Sequence, residues 1–139
     1  MSRSLVTVLL VLGLASGTRA AELTLRISNI PEGGGQIMIQ VLGSQAAFDD
    51  DEPPAASLIL PASSNAIEIS TTAIAPGSYG VRVMHDQNGN GELDGNLVGM
   101  PKEPWGFSNN ASGSFGPPTW EAVRFELDGD LTQDIRLNH

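Results

Sequence analysis

Seven short stretches in which apolar and polar side chains alternate constrain this chain more than any other feature. Leu23, Leu25 and Ile27 oppose Thr24, Arg26 and Ser28, and within 36–42 Ile37, Ile39 and Val41 share one face. Leu58 and Leu60 mark a third stretch, and Ile67 and Ile69 a fourth with Glu68 turned outward. Tyr79, Val81 and Val83 repeat the pattern in 78–85, Val123, Phe125 and Leu127 oppose Arg124 and Glu126, and Ile135 and Leu137 oppose Asp134 and Arg136. A period of two places one set of side chains on one side of a strand. Strands that are apolar on one side only must cover it with a second sheet, so the pattern predicts an all-β, antiparallel Greek-key sandwich of about seven strands. Gly and Pro occupy 25 of 139 positions, the punctuation that short strands need. The last two stretches are expected to form a hairpin over 121–137 that turns at Asp128-Gly129-Asp130. The only helical turn expected is Gln45–Phe48, with Ser44 as its N-cap.

Residues 1–21 read as a cleaved export signal. Arg3 supplies the positive start, Leu5 to Leu14 form an apolar stretch broken by Thr7 and Gly13, and Thr18-Arg19-Ala20 offers small residues, Thr18 and Ala20, at the positions a signal peptidase reads, with cleavage after Ala20 or Ala21. The competing reading, a membrane anchor, would need roughly 20 apolar residues to cross about 30 Å of hydrocarbon. The organisation expected is therefore a signal peptide (1–21) and one sandwich domain (22–139), secreted or periplasmic and without membrane insertion after cleavage. The whole chain carries −9; loss of Arg3 and Arg19 leaves five basic and 16 acidic residues, or −11. Such a balance excludes a nucleic-acid binder, which needs a basic face. With no cysteine, a disulfide framework and thiolate metal sites are excluded too.

Two stretches interrupt the alternation. Asp49-Asp50-Asp51-Glu52, ahead of Pro53-Pro54, reads most simply as a solvated loop, with a second cation site as the competing reading. The longer interruption, 86–119, opens with Asp86-Gln87-Asn88-Gly89-Asn90-Gly91-Glu92-Leu93-Asp94, which reproduces the first nine positions of a calcium loop. Side-chain oxygens stand at positions 1, 3, 5 and 9 (Asp86, Asn88, Asn90, Asp94), glycine at 6 (Gly91), and a backbone carbonyl donor at 7 (Glu92). Position 12 is Leu97 in place of the bidentate glutamate, and Glu103 or a backbone carbonyl near Gly99 is the candidate to complete the shell. Hard oxygen donors of this kind suit calcium, and the small number of charged ligands predicts weak binding, on the order of 10⁻⁴ M. The alternative is a plain turn, because Asn88-Gly89 and Asn90-Gly91 are both turn dipeptides.

Aromatic residues gather behind this loop. Trp105, Phe107 and Trp120, with Asn109 and Asn110, read either as a surface that stacks on a glycan or peptide, or as rings folded inward to pin a long loop over the sandwich. A larger likeness emerges when the segments are taken together. Pro76-Gly77-Ser78-Tyr79, His85-Asp86-x-Asn88-x-Asn90-Gly91-x-Leu93-Asp94, Gly99-x-Pro101-x-Glu103-Pro104-x-Gly106-Phe107-Ser108-Asn109-Asn110-Ala111 and Gly116-Pro117-Pro118 resemble the small exported bacterial family called domain of unknown function 2141, over about 22–137. The resemblance implies a secreted or periplasmic β-sandwich and brings no established activity. The Pro-Gly-x-Tyr lead-in followed by an Asp-rich loop is also similar to prealbumin-like and surface-protein repeat modules, which again implies a sandwich, Ig-like or prealbumin-like in kind.

Catalytic groupings are sparse. His85, Ser108 and a carboxylate are the only material for a triad, and Asp86, as the neighbour of His85 on a strand, points to the opposite face. Asp94 and Glu103 have no spacing that demands a glycosidase pair. The reading is a non-catalytic exported sandwich whose calcium loop orders an aromatic loop facing a protein or glycan partner, with a carbohydrate- or peptide-binding accessory module, and then a hydrolase, as alternatives.

Overall fold

The computed structural model describes residues 6–11, 21–91, 103–113 and 116–139. In chain order they form β1 (Val6–Val11), β2 (Ala21–Ser28), β3 (Gln36–Leu42), α1 (Gln45–Phe48), β4 (Ala56–Pro61), β5 (Ile67–Ile74), β6 (Gly77–Asp86), β7 (Trp105–Phe107), a 3-10 turn (Ser108–Asn110), α2 (Trp120–Val123), β8 (Phe125–Leu127) and β9 (Leu131–Arg136). One sheet has the order β1-β5-β2-β9; the other has the order β4-β3-β6-β7, and β8 joins the same edge of β6 as β7. Among the described residues, no helix is long and apolar enough to cross a membrane.

The alternating stretches do what their pattern requires. Leu23, Leu25 and Ile27 of β2, Ile67 and Ile69 of β5, and Ile135 of β9 meet Ile37, Ile39 and Val41 of β3 and Val81 and Val83 of β6 in one continuous buried core. The helical turn Gln45–Phe48 forms as expected, its N-terminus satisfied by Ser44, whose hydroxyl accepts from the Ala47 N–H at 3.1 Å. The acidic run behind it is solvated at Asp49–Glu52, with Asp50 meeting Arg82 Nη2 at 2.7 Å.

The pairing corrects the expectation of a wholly antiparallel structure. β2 runs parallel to β9, and β1 parallel to β5, while β2/β5, β3/β4 and β3/β6 are antiparallel. The hairpin expected over 121–137 does not form. Val123 ends α2, β8 pairs with β6 in one sheet, and β9 pairs with β2 in the other, so Asp128-Gly129-Asp130 carries the chain between layers. Alternation reports which side of a strand is buried and leaves open which neighbour the strand takes. An Asp130 carboxylate oxygen, accepting from the Glu22 N–H at 2.9 Å, ties that turn to the start of β2. Two further strands stand outside the seven: β7, within the long interruption, and β1, within the segment read as an export signal. Of that segment, residues 1–5 and 12–20 lie outside the described residues.

Candidate functional site

The end of β6 is the foundation of the site. Gln36 pairs with Asp86 and Ile37 with His85, so the first residues of β3 sit beside the last of β6. The glycine run ahead of β3 packs against this junction. Gly35 has φ +83, and a Cβ there would lie 2.5 Å from the Asp86 carbonyl oxygen and 2.8 Å from the Gln87 Cα. Only glycine combines that dihedral with that approach.

His85 is fully buried, and its Nε2 lies 2.7 Å from the Gly34 carbonyl. A carbonyl only accepts, so Nε2 carries a proton and donates it, while Nδ1 is buried and without a hydrogen-bond partner among the described residues. The His85 backbone N–H donates to the Pro104 carbonyl at 2.9 Å. That bond returns the middle of the long interruption to the end of β6, and Glu103 comes with it. Glu103 is buried, and its Oε2 accepts from the Gln87 N–H at 2.6 Å.

Asp86 is buried at the centre of the turn. Its Oδ1 accepts from the Asn90 N–H at 3.1 Å, and its Oδ2 from the Gly91 N–H at 2.7 Å and from Gln36 Nε2 at 2.9 Å. The Asn88 side-chain oxygen shares the Asn90 N–H, also at 3.1 Å. Positive φ at Gly89 (+74) and Gly91 (+79) lets the chain curl over the carboxylate. Burial pushes the Asp86 pKa up, but the hydrogen bonds from Gly91, Gln36, Asn90 and Gly89 outweigh it and hold the carboxyl below its ordinary 3.8.

A pH dependence follows with a defined sign. With its folded pKa lowered, Asp86 stabilises the fold in full above its unfolded value of about 3.8, and that contribution is lost as pH falls through the lower folded value. The stability difference between wild type and Asp86→Asn, measured by urea unfolding from pH 6 downward, is expected to be constant to about pH 4 and to shrink below it. A difference that stays flat to pH 2 would contradict this assignment.

The structure brings together four of the six expected ligands, Asp86, Asn88, Asn90 and Glu103, around one turn; Glu92 and Asp94 lie outside the described residues. Among the described residues, no three His, Cys, Asp or Glu side chains come together as a metal-binding group.

The aromatic segment corrects one of its two readings. Phe107 and Trp120 are buried, and only Trp105 among the three rings is half-exposed. Phe48 of α1 links them, with ring centroids 6.2 Å from Phe107 and 6.0 Å from Trp120, while Trp105 meets Phe107 edge-on at 5.7 Å. Leu42, Ala47 and Trp120 make a second small core on this side. The rings turn inward because Gly80 leaves space above β6: a Cβ there would fall 2.7 Å from the Trp120 ring. Asn109 and Asn110 are exposed, yet their amides bind the protein itself. Asn109, at φ +60, donates through Nδ2 to the carbonyls of Ala122, Val123 and Arg124 and caps the end of α2. Asn110 donates to the Asp134 carbonyl at 3.1 Å and accepts from the Arg136 N–H at 2.9 Å, closing the outer edge of β9 as a strand residue would.

Ser108 and His85 are committed separately. The Ser108 hydroxyl donates to the Val123 carbonyl at 2.6 Å and accepts from the Val81 N–H at 2.9 Å. Val81 lies four residues from His85 on β6, roughly 13 Å along the strand. Sequence reasoning passed over Gly35, Gln36 and Phe48. The first two could have been found by aligning the start of β3 with the end of β6, whereas no pattern marks Phe48.

A family model for a bacterial family described as "Uncharacterized protein conserved in bacteria (DUF2141)" matches residues 25–135. The chain belongs to the DUF2141 family. The match spans the sandwich from β2 to β9, including the Asp86 turn and both asparagine clamps, so the site lies inside the family's own domain. No curated protein and no solved structure matches this DUF2141 chain.

Proposed function

We propose that this DUF2141 protein is a non-catalytic exported β-sandwich in which the Asp86 turn and Glu103 bind calcium weakly and so order the segment that follows. The observation that carries the reading is the return of Glu103 to the turn, where its carboxylate accepts from the N–H of Gln87, the neighbour of Asp86, and both acidic residues are buried. Calcium would supply a hard positive centre for the Asp86, Asn88, Asn90 and Glu103 oxygens, with Glu92 and Asp94 completing the set. The hydrogen bonds on Asp86 keep that carboxyl ionised at neutral pH, as a ligand must be.

Several features support the rest of the reading. β2 begins at Ala21, where the export signal is expected to end, so cleavage after Ala20 or Ala21 keeps Glu22–Ser28 with the core residues Leu23, Leu25 and Ile27. The pairing of β2 with β5 in one sheet and of β3 with β6 in the other agrees with the B/E and C/F strands of an immunoglobulin-like Greek key. The separate engagements of Ser108 and His85 favour a non-catalytic role. The partner is a protein or glycan, and the half-exposed Trp105 is the ring left to meet it.

Thermal unfolding in calcium and in chelator tests the ion. At a hundredfold excess over the dissociation constant, calcium is expected to add about 2.7 kcal/mol, a rise of about 10 °C in Tm for a domain of this size. Identical melting in both conditions would remove calcium from the account.

A further inference from the structure

The two flanks of the sandwich are finished differently. On the β9 side, Asn110 occupies the strand's outer backbone groups, Gln133 and Asn109 bind each other, and Trp105 and Asn138 exchange hydrogen bonds of 3.1 and 2.7 Å that join β7 to the chain beyond β9. On the β4 side of the other sheet, the strand ends in Pro61 and follows Pro53-Pro54, residues that discourage further pairing.

β5 has no such guard. Ile67-Glu68-Ile69-Ser70-Thr71-Thr72-Ala73-Ile74 contains neither proline nor lysine and is rich in β-branched residues, and its one charge, Glu68, faces Arg26 on β2 at 3.1 Å. Its outer edge is filled by the chain's own β1, parallel, in an unbroken six-residue register from Val6↔Ile67 to Val11↔Thr72. β1 lies entirely within the segment read as the export signal, and its sequence, VTVLLV, carries no charge.

We infer that, once this segment is removed, the β5 edge is a strand-accepting site for an extended, uncharged, apolar segment of a partner polypeptide, which adds parallel to β5 as Val6–Val11 does. Main-chain hydrogen bonds supply the affinity and the β-branched face of β5 the preference for apolar side chains. A charge of −11 on the processed chain opposes two copies meeting edge to edge and favours a partner segment with basic flanks. The inference rests on the export reading and is independent of calcium.

The test uses the protein purified after export by its own leader, with its N-terminus established by intact mass. If the chain starts at residue 21 or 22, those amides of 67–72 that point away from β2 are expected to exchange freely, while the alternate ones stay paired with β2. A lysine-flanked peptide of residues 6–11 is expected to slow the outward-pointing amides about tenfold or more, whereas the same peptide carrying Val8→Pro and Leu10→Pro, equal in charge, leaves them unchanged. Unaltered exchange with the first peptide, equal slowing by both, slowing confined to 56–61, or an exported dimer already protected at 67–72 would each overturn the proposal. If the leader is retained, the export reading fails by itself, and the full-length chain with Val8→Pro and Leu10→Pro carries the test. Exposure of 67–72 in that variant, reversed by the unsubstituted peptide, supports the edge site, and its absence overturns it.

Discussion

Trp120→Ala is expected to lower the stability of this protein by about 3–5 kcal/mol, the range for removing a buried tryptophan, and its Tm by about 10–20 °C. Trp120 is 8% exposed, meets the Phe48 ring at a tilt of 45°, and stands over the space that Gly80 leaves. Differential scanning calorimetry measures the loss. A companion pair sharpens it. Gly80→Ala would put a methyl 2.7 Å from the Trp120 ring and 2.8 Å from Val123, an overpacking penalty of about 1–3 kcal/mol. In the Trp120→Ala background one of those two obstacles is gone, so the penalty of Gly80→Ala is expected to fall. Strict additivity, or a loss below about 1 kcal/mol for Trp120→Ala, would mean that the ring is a surface group after all.

Gly35→Ala is the second large effect. The substitution combines a left-handed φ of +83 with a methyl placed 2.5 Å from the Asp86 carbonyl, and about 3 kcal/mol or more is expected from strain and displacement together. Gly34→Ala is the control, since Gly34 has φ +80 and nothing within 4 Å of its Cβ position; it is expected to lose about 1 kcal/mol. Denaturant unfolding of the two variants separates them. Because the added methyl pushes on the backbone of Asp86 and Gln87, Gly35→Ala is also expected to shift the amide resonances of Gln87, Asn90 and Gly91, which donate to the two buried carboxylates. Equal losses at Gly34 and Gly35, with those resonances unmoved, would show that the glycine run is only a turn and does not support the site.

The buried faces were legible in the local pattern of residues. Period-two alternation is a local property, and burial follows it directly: Leu23, Leu25, Ile27, Ile37, Ile39, Val41, Val81 and Val83 all face the core. The same local logic gave Ser44 as the cap of α1, because a cap bonds within three residues of itself. Parity along β6 placed His85 inward with Val81 and Val83, and it is buried there.

How those pieces meet depends on long-range packing. Whether a strand takes a parallel or an antiparallel neighbour depends on the path of the chain between layers, so the Asp128-Gly129-Asp130 turn, which reads as a hairpin, instead separates β8 from β9. The aromatic side chains were ambiguous because a tryptophan suits a binding face and a core equally well by composition. The choice was made by the empty volume over Gly80 and by Phe48, more than 70 residues away from Trp120 in sequence. Asn109 and Asn110 read as ligand-binding groups because amides suit that role, and their partners on α2 and β9 exist only once those elements are packed. Glu103 reached the Asp86 turn because β7 pairs with β6 and the His85 N–H extends that ladder to the Pro104 carbonyl. Local periodicity determines which way a side chain points along its own strand, and only packing brings groups distant in the chain to the same place.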